Sequence, residues 1–206
     1  MYDSGITAKD FLDALDDEAD ISVEIPRSGP LRWLSAVEQF VYTEILREYV
    51  SATVDLTSVP VDVIRLDGLP VPEGAAVPVY DDVIRIYGEE GQELRKSGVI
   101  AGYEFPDFDL YYPDYNGGVV LHTRMEQSKV TIIYRLRPAL KNADNEETLH
   151  VALPAEYLDM AGAKIRGEAY KIANEDGLAA KWLADYNTQV ENFKIWASSR
   201  NERYGA

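Results

Sequence analysis

The chain has 206 residues, with 36 acidic against 20 basic side chains, for a formal charge of −16. That surplus argues against holding DNA or RNA by its phosphates, which takes clustered Lys and Arg, and against docking on an anionic membrane. With no cysteine and two histidines, disulfides, thiol catalysis and Cys- or His-rich metal sites are excluded.

Charge falls unevenly along the chain. Residues 1–50 net −7, residues 51–153 net −8 and residues 154–206 net −1. No run approaches 18 apolar residues and MYDSGITAKD lacks a basic, apolar leader, so the expectation is a soluble protein made in a reducing compartment. The length suits one domain.

The first zone reads as helical. Thr7 with Asp10 resembles a capping box, and Phe11, Leu12 and Leu15 follow at helical spacing. The acidic run 16–20 opposes the helix dipole and is expected to end it. Ser28-Gly29-Pro30 opens a second helix, with proline in the first turn where its missing N–H is harmless. Leu34, Val37, Val41 and Ile45, with Trp33, Phe40 and Leu46 beside them, make a face broad enough to pack on more than one side.

The middle zone changes period. Segments 53–56, 61–66, 83–87, 119–124, 130–138 and 148–153 alternate or are rich in β-branched residues, and GEEG at 88–91 turns the chain back. VTIIYRLR is the strongest strand signal. Val130, Ile132, Tyr134 and Leu136 point one way, and Thr131, Ile133, Arg135 and Arg137 the other. Many prolines keep the strands short and the loops numerous. Pro154 then starts a helix with Leu158, Ala161, Ile165, Ala169 and Ile172 on one face, broken at NEDG (174–177). A last helix from about Leu178 to Ser198 carries Ala179, Trp182, Leu183, Tyr186, Val190, Phe193 and Ala197, leaving 199–206 as a polar arm. The expected fold is therefore α+β: a helical bundle built from both ends of the chain, with a central antiparallel β-rich insertion at 51–153.

Signatures of chemistry are absent. There is no phosphate-cradling glycine loop, no nucleophile elbow and no zinc-protease motif. His122 and His150 fall in predicted strands, where a lone histidine is usually structural. Glu104, Asp107 and Asp109 are the best-placed carboxylates for an acidic hydrolase, although 36 acids make chance pairings common. Asp107, Asp109, Asp114 and Asn116 offer oxygen ligands of the calcium type, without the spacing of an EF-hand loop. The same segment, YEFPDFDLYYPDYNGG (103–118), is rich in tyrosine. Tyr103, Phe105, Phe108, Tyr111, Tyr112 and Tyr115 are candidates for contact with a neighbouring subunit, a tail protein or a sugar, and otherwise cover a sheet end. No cofactor and no metal is expected.

The second half carries a resemblance. VTIIYRLRPAL leads through NADNEET into HVALPAEYLDMAGAKIRGEAYKIANED and LAAKWLADYNTQVENFKIW, and RWLSAVEQFVYTEILRE fits the same pattern upstream. This order of strand, R-P step, LP-initiated helix and final Trp/Tyr helix resembles the head–tail connector (adaptor) proteins of tailed bacteriophages, closest to the podophage tail-tube/adaptor type. It covers about residues 28–50 and 128–203. It implies a structural virion protein of the phage neck, made in the bacterial cytoplasm and without enzymatic activity. It further implies a homo-oligomeric ring, commonly of twelve copies, that binds the portal protein above and a neck or tail protein below. DNA passes through such a ring on ejection without sequence-specific binding. By position, Arg200, Asn201, Arg203 and Tyr204 become the portal-docking candidates. The competing expectation, from the tyrosines, is a tail-associated carbohydrate- or receptor-binding module.

Overall fold

The computed structural model describes residues 1–18, 24–56, 63–97, 109–114, 116–122 and 128–204, with 17, 18 and 201–204 as backbone only. The fold is α+β, and the chain divides into two compact units: residues 1–46 with 138–206, and residues 47–137.

The helical unit contains α1 (Ala8–Glu18), α2 (Ser28–Phe40), α3 (Leu158–Ile172) and α4 (Asp176–Tyr204). The Asp10 N–H donates to Thr7 Oγ1 at 3.1 Å, so the expected cap is formed at the start of α1. α2 does not stop at Phe40. It runs into a wider π-helical segment, Val41–Leu46, whose Val41 and Tyr42 are buried. The unit's core gathers Leu12 from α1, Leu31, Leu34 and Val37 from α2, Met160 and Ala161 from α3, and Phe193 from α4. α3 and α4 approach closely at Gly167, where an added Cβ would stand 2.7 Å from Leu183 Cγ.

Residues 148–153 are not the predicted strand. Only His150 bridges, to Thr7, and Val151, Ala152 and Leu153 enter the helical core. The helical unit accordingly reclaims the chain from Pro138 rather than from 154. The apolar character of HVALP, read as β, serves burial between helices; short apolar runs do not distinguish the two. Ile172, assigned to the buried face of α3, stands half exposed at the helix end.

The second unit contains β1 (Tyr49–Asp55), β2 (Val63–Arg65), β3 (Val83–Tyr87), β4 (Glu93–Lys96), β5 (Leu110–Pro113), β6 (Gly118–His122) and β7 (Lys129–Arg135). They form one seven-stranded sheet in the order β1-β7-β3-β4-β5-β6-β2. Its pairings are antiparallel except β4 with β5, which run parallel, so the sheet is mixed rather than purely antiparallel. β7 lies between β1 and β3 and alternates as its sequence demands. Val130, Ile132 and Tyr134 are buried with Ala52, Ile86, Leu94 and Leu121, while Thr131, Ile133 and Arg135 occupy the opposite face. The buried Asp82 carboxylate accepts from Arg137 at 2.6 Å and from the Val79 N–H at 2.9 Å, tying a helical turn to the end of β7.

Candidate functional site

The positional candidates for docking lie at the end of α4. The expected polar arm is helical: α4 extends through Tyr204 and has 29 residues, about 43 Å at 1.5 Å per residue. Arg200, Asn201, Arg203 and Tyr204 thus belong to its last turns, not to a frayed tail.

These turns rest on an aromatic cluster. Phe193 is fully buried, stacks on Trp196 at 5.1 Å and meets Tyr157 edge-on at 4.7 Å. Tyr2 tilts against Trp196 at 5.8 Å. The Arg200 guanidinium lies 5.0 Å from the Trp196 ring centre and 5.6 Å from that of Tyr2, and Nη1 donates to the Tyr2 hydroxyl at 2.9 Å. A cation over two aromatic faces is held in place but still half exposed. One position before Trp196, Ile195 is 70% exposed. The end of α4 therefore carries an oriented guanidinium, a partly buried indole and an exposed aliphatic side chain.

Residues 1–7 hold this end from outside. The Tyr2 N–H donates to the Tyr42 hydroxyl, Ser4 and Ile6 exchange backbone bonds with Val151, and Asp3 Oδ1 meets His150 Nδ1 at 2.8 Å. The Gly5 N–H and His150 hold the Asp3 carboxyl below the usual range. His150 is thus a structural partner of an exposed loop.

Glu38, which the sequence reading missed, forms the most constrained polar group. Its carboxylate is buried in the helical core, accepts from Lys141 Nζ through Oε2 and takes the Ala152 N–H at 2.7 Å through Oε1. The Lys141 N–H donates to Ser35 Oγ at 2.9 Å. Burial pushes the Glu38 carboxyl up, against Lys141 and the amide, which pull it down. A signal was present: Glu38 stands four residues after Leu34 and seven after Leu31, on the apolar stripe itself. A cleft of about 360 Å³ opens beside the pair, lined by Leu31, Ser35, Gln39, Leu140 and Lys141. Lys141 Nζ turns inward to Glu38.

The tyrosine-rich segment comes apart. Tyr103, Phe105, Phe108 and Tyr115 lie outside the described residues, as do Glu104 and Asp107. Tyr111, expected on a contact surface, is instead buried in the sheet core, with its hydroxyl 3.4 Å from the Ile84 carbonyl and its ring edge-on to Tyr80 at 6.1 Å. Burial pushes its phenol well up. Tyr112 is half buried in β5, paired with Val120. Asp114 and Asn116 build the β5–β6 turn: Asp114 Oδ2 accepts the Asn116 N–H at 3.2 Å and the Asp114 carbonyl accepts from Gly117. This is an Asx turn and needs no cation. Among the described residues no three His, Asp or Glu side chains are grouped to hold a metal, and no helix is long and apolar enough to cross a membrane. His122 lies in β6, opposite Leu110. No protein-family model matches the chain, and no curated protein matches its sequence.

Proposed function

We propose that the chain is a structural, non-enzymatic connector of the head–tail adaptor type, which docks through the last turns of α4 under the portal of a tailed phage. One observation carries the reading: a β-rich unit, residues 47–137, is inserted into a helical unit that closes on a 29-residue helix. That is the order of elements in the connectors the sequence resembles. The exposed Ile195 and the oriented Arg200 supply apolar and cationic contacts to a partner. In this reading copies of the chain form a ring, commonly of twelve, that presents its other face to a neck or tail protein and passes DNA. Acid from residues 1–153 lines the passage, repelling phosphate within a Debye length of about 8 Å.

Co-sedimentation with the portal protein of the same genome tests the reading. The wild-type chain is expected to sediment with portal, and Arg200→Glu to bind at least about tenfold more weakly, the scale of a lost interfacial charge contact. A wild-type chain that stays in the supernatant contradicts it.

A further inference from the structure

The two edges of the sheet are built differently. β2 is three residues long and carries Arg65, paired with Asp67 at 2.6 Å; shortness and charge are the usual guards of an edge. β1 is seven residues long and reads YVSATVD. It has no proline, glycine or lysine, and its single charge, Asp55, stands at its end. It pairs with β7 along its whole length without a break in register. Such a strand, rich in β-branched residues and free of bulges, is a template for a further strand.

The register shows which backbone groups β1 leaves over. The Leu136 N–H donates to the Glu48 carbonyl at 3.0 Å, and the Leu56 N–H to the Ser128 carbonyl at 2.8 Å. Hydrogen-bonded pairs alternate along an antiparallel ladder, so Val50, Ala52 and Val54 bond to β7. The N–H and C=O groups of Tyr49, Ser51 and Thr53 point the other way and meet no partner among the described residues. All three residues are exposed, Tyr49 to 49%. On the core side Ala52 is buried, but Val50 and Val54 on either side of it are only half-buried.

β1 is also complementary to itself. Laid antiparallel on a second copy about Ala52, Ser51 faces Thr53 and Tyr49 faces Asp55 as hydrogen-bonded pairs. Between them Val50 faces Val54 and Ala52 faces Ala52 as the closer pairs without hydrogen bonds. The smallest side chain thus sits on the two-fold axis, where Cα atoms approach to about 4.5 Å. The hydroxyl pair and the valine pair are favourable cross-strand neighbours. The two Asp55 residues fall at opposite ends, roughly 20 Å apart at about 3.3 Å per residue, so no like charges meet.

We infer that β1 is a strand-addition edge and that its occupant is β1 of a second copy. The sheet then runs through both copies, and the half-buried valines gain cover. The contact closes on itself about a two-fold axis. It makes a dimer of the free chain rather than the contact of a ring, and it does not rest on the connector reading.

Sedimentation velocity of the full chain over a concentration series tests the inference. The wild type is expected to form dimers and, because each copy carries −16, to associate more tightly as salt rises. Ser51→Pro removes an outward N–H without touching a bond to β7, and Thr53→Lys sets a charge on the edge. Each should weaken the dimer at least about tenfold while circular dichroism shows the fold retained. Ser51→Thr should dimerise as the wild type does. Amide exchange at Ser51 and Thr53 should slow at least about tenfold between dilute and concentrated wild-type chain. In a chain with no other cysteine, Ala52→Cys should oxidise to a disulfide-linked dimer under copper–phenanthroline, and Val54→Cys should not. A wild type monomeric at every concentration, a dimer that salt disperses, or a dimer indifferent to both edge variants would overturn the inference. So would unchanged exchange at Ser51 and Thr53, or a dimer that Ala52→Cys fails to cross-link.

Discussion

Glu38 and Arg27 both fasten the segment that returns from the sheet, and they do so at different depths. Glu38 is enclosed with Lys141, so removing one charge strands the other. Glu38→Gln is expected to cost about 3–5 kcal/mol in urea unfolding, whereas Glu38→Leu/Lys141→Met should cost far less or even stabilise. Equal losses in both variants would show that the pair holds the fold by its charge. Arg27 bridges Asp13, Asp16, Glu146 and the Lys9 carbonyl from a half-exposed position. Arg27→Met should cost about 2 kcal/mol through lost charged hydrogen bonds, read as a lower thermal midpoint. Glu168 gives a pH-dependent case. Burial raises its carboxyl, but Lys164 at 2.7 Å and Lys171 at 3.3 Å outweigh that and leave it lowered. A lowered folded-state value means the contribution is present above the ordinary Glu range and disappears as pH falls through the folded value. The stability gap between wild type and Glu168→Gln should therefore be open at neutral pH and close in acid; a gap that widens on acidification contradicts the assignment.

At the scale of elements, legibility followed how many physical signals agreed. β7 was plain because alternation, β-branching and a central position all point the same way, and its buried set is the one its pattern names. α3 and α4 were plain from their stripes and from the break at NEDG, where Asn174 takes a left-handed conformation. β5 escapes the strand pattern because prolines and aspartates surround it, yet Leu110 and Tyr111 are buried in the sheet. Its parallel pairing with β4 is a long-range choice that no local pattern encodes. The run 148–153 is the opposite case, since a short apolar stretch has the pattern of a strand even when helices bury it. The length of α4 escaped because its last turns are polar; the helix continues there over Arg200, Trp196 and Tyr2. Of the candidate docking residues, sequence supplied the positions, while the aromatic seat of Arg200 and the inward turn of Tyr111 required the fold. The α3–α4 contact offers its own test. Gly167→Ala should raise helix propensity by about 1 kcal/mol, but the Cβ clash with Leu183 should make the net effect a loss of about 1–2 kcal/mol. Net stabilisation would mean that the helices are not in close contact there.

For the whole molecule the −16 carries two meanings. Part of the acid is matched locally by Arg27, Lys9 and Lys164. Under the proposed connector reading, the remaining surplus would keep a surface near DNA from adsorbing it. In the proposed connector reading, docking falls to the end of α4 and passage of DNA to the unmatched acid. Cryo-electron microscopy of the chain mixed with the portal protein of the same genome tests this most directly. The expected image is a closed ring of the chain beneath the portal, with the end of α4 against it and acidic side chains in the lumen. Chains that remain monomeric and apart from the portal, or a ring whose lumen is lined by Arg and Lys, would contradict it.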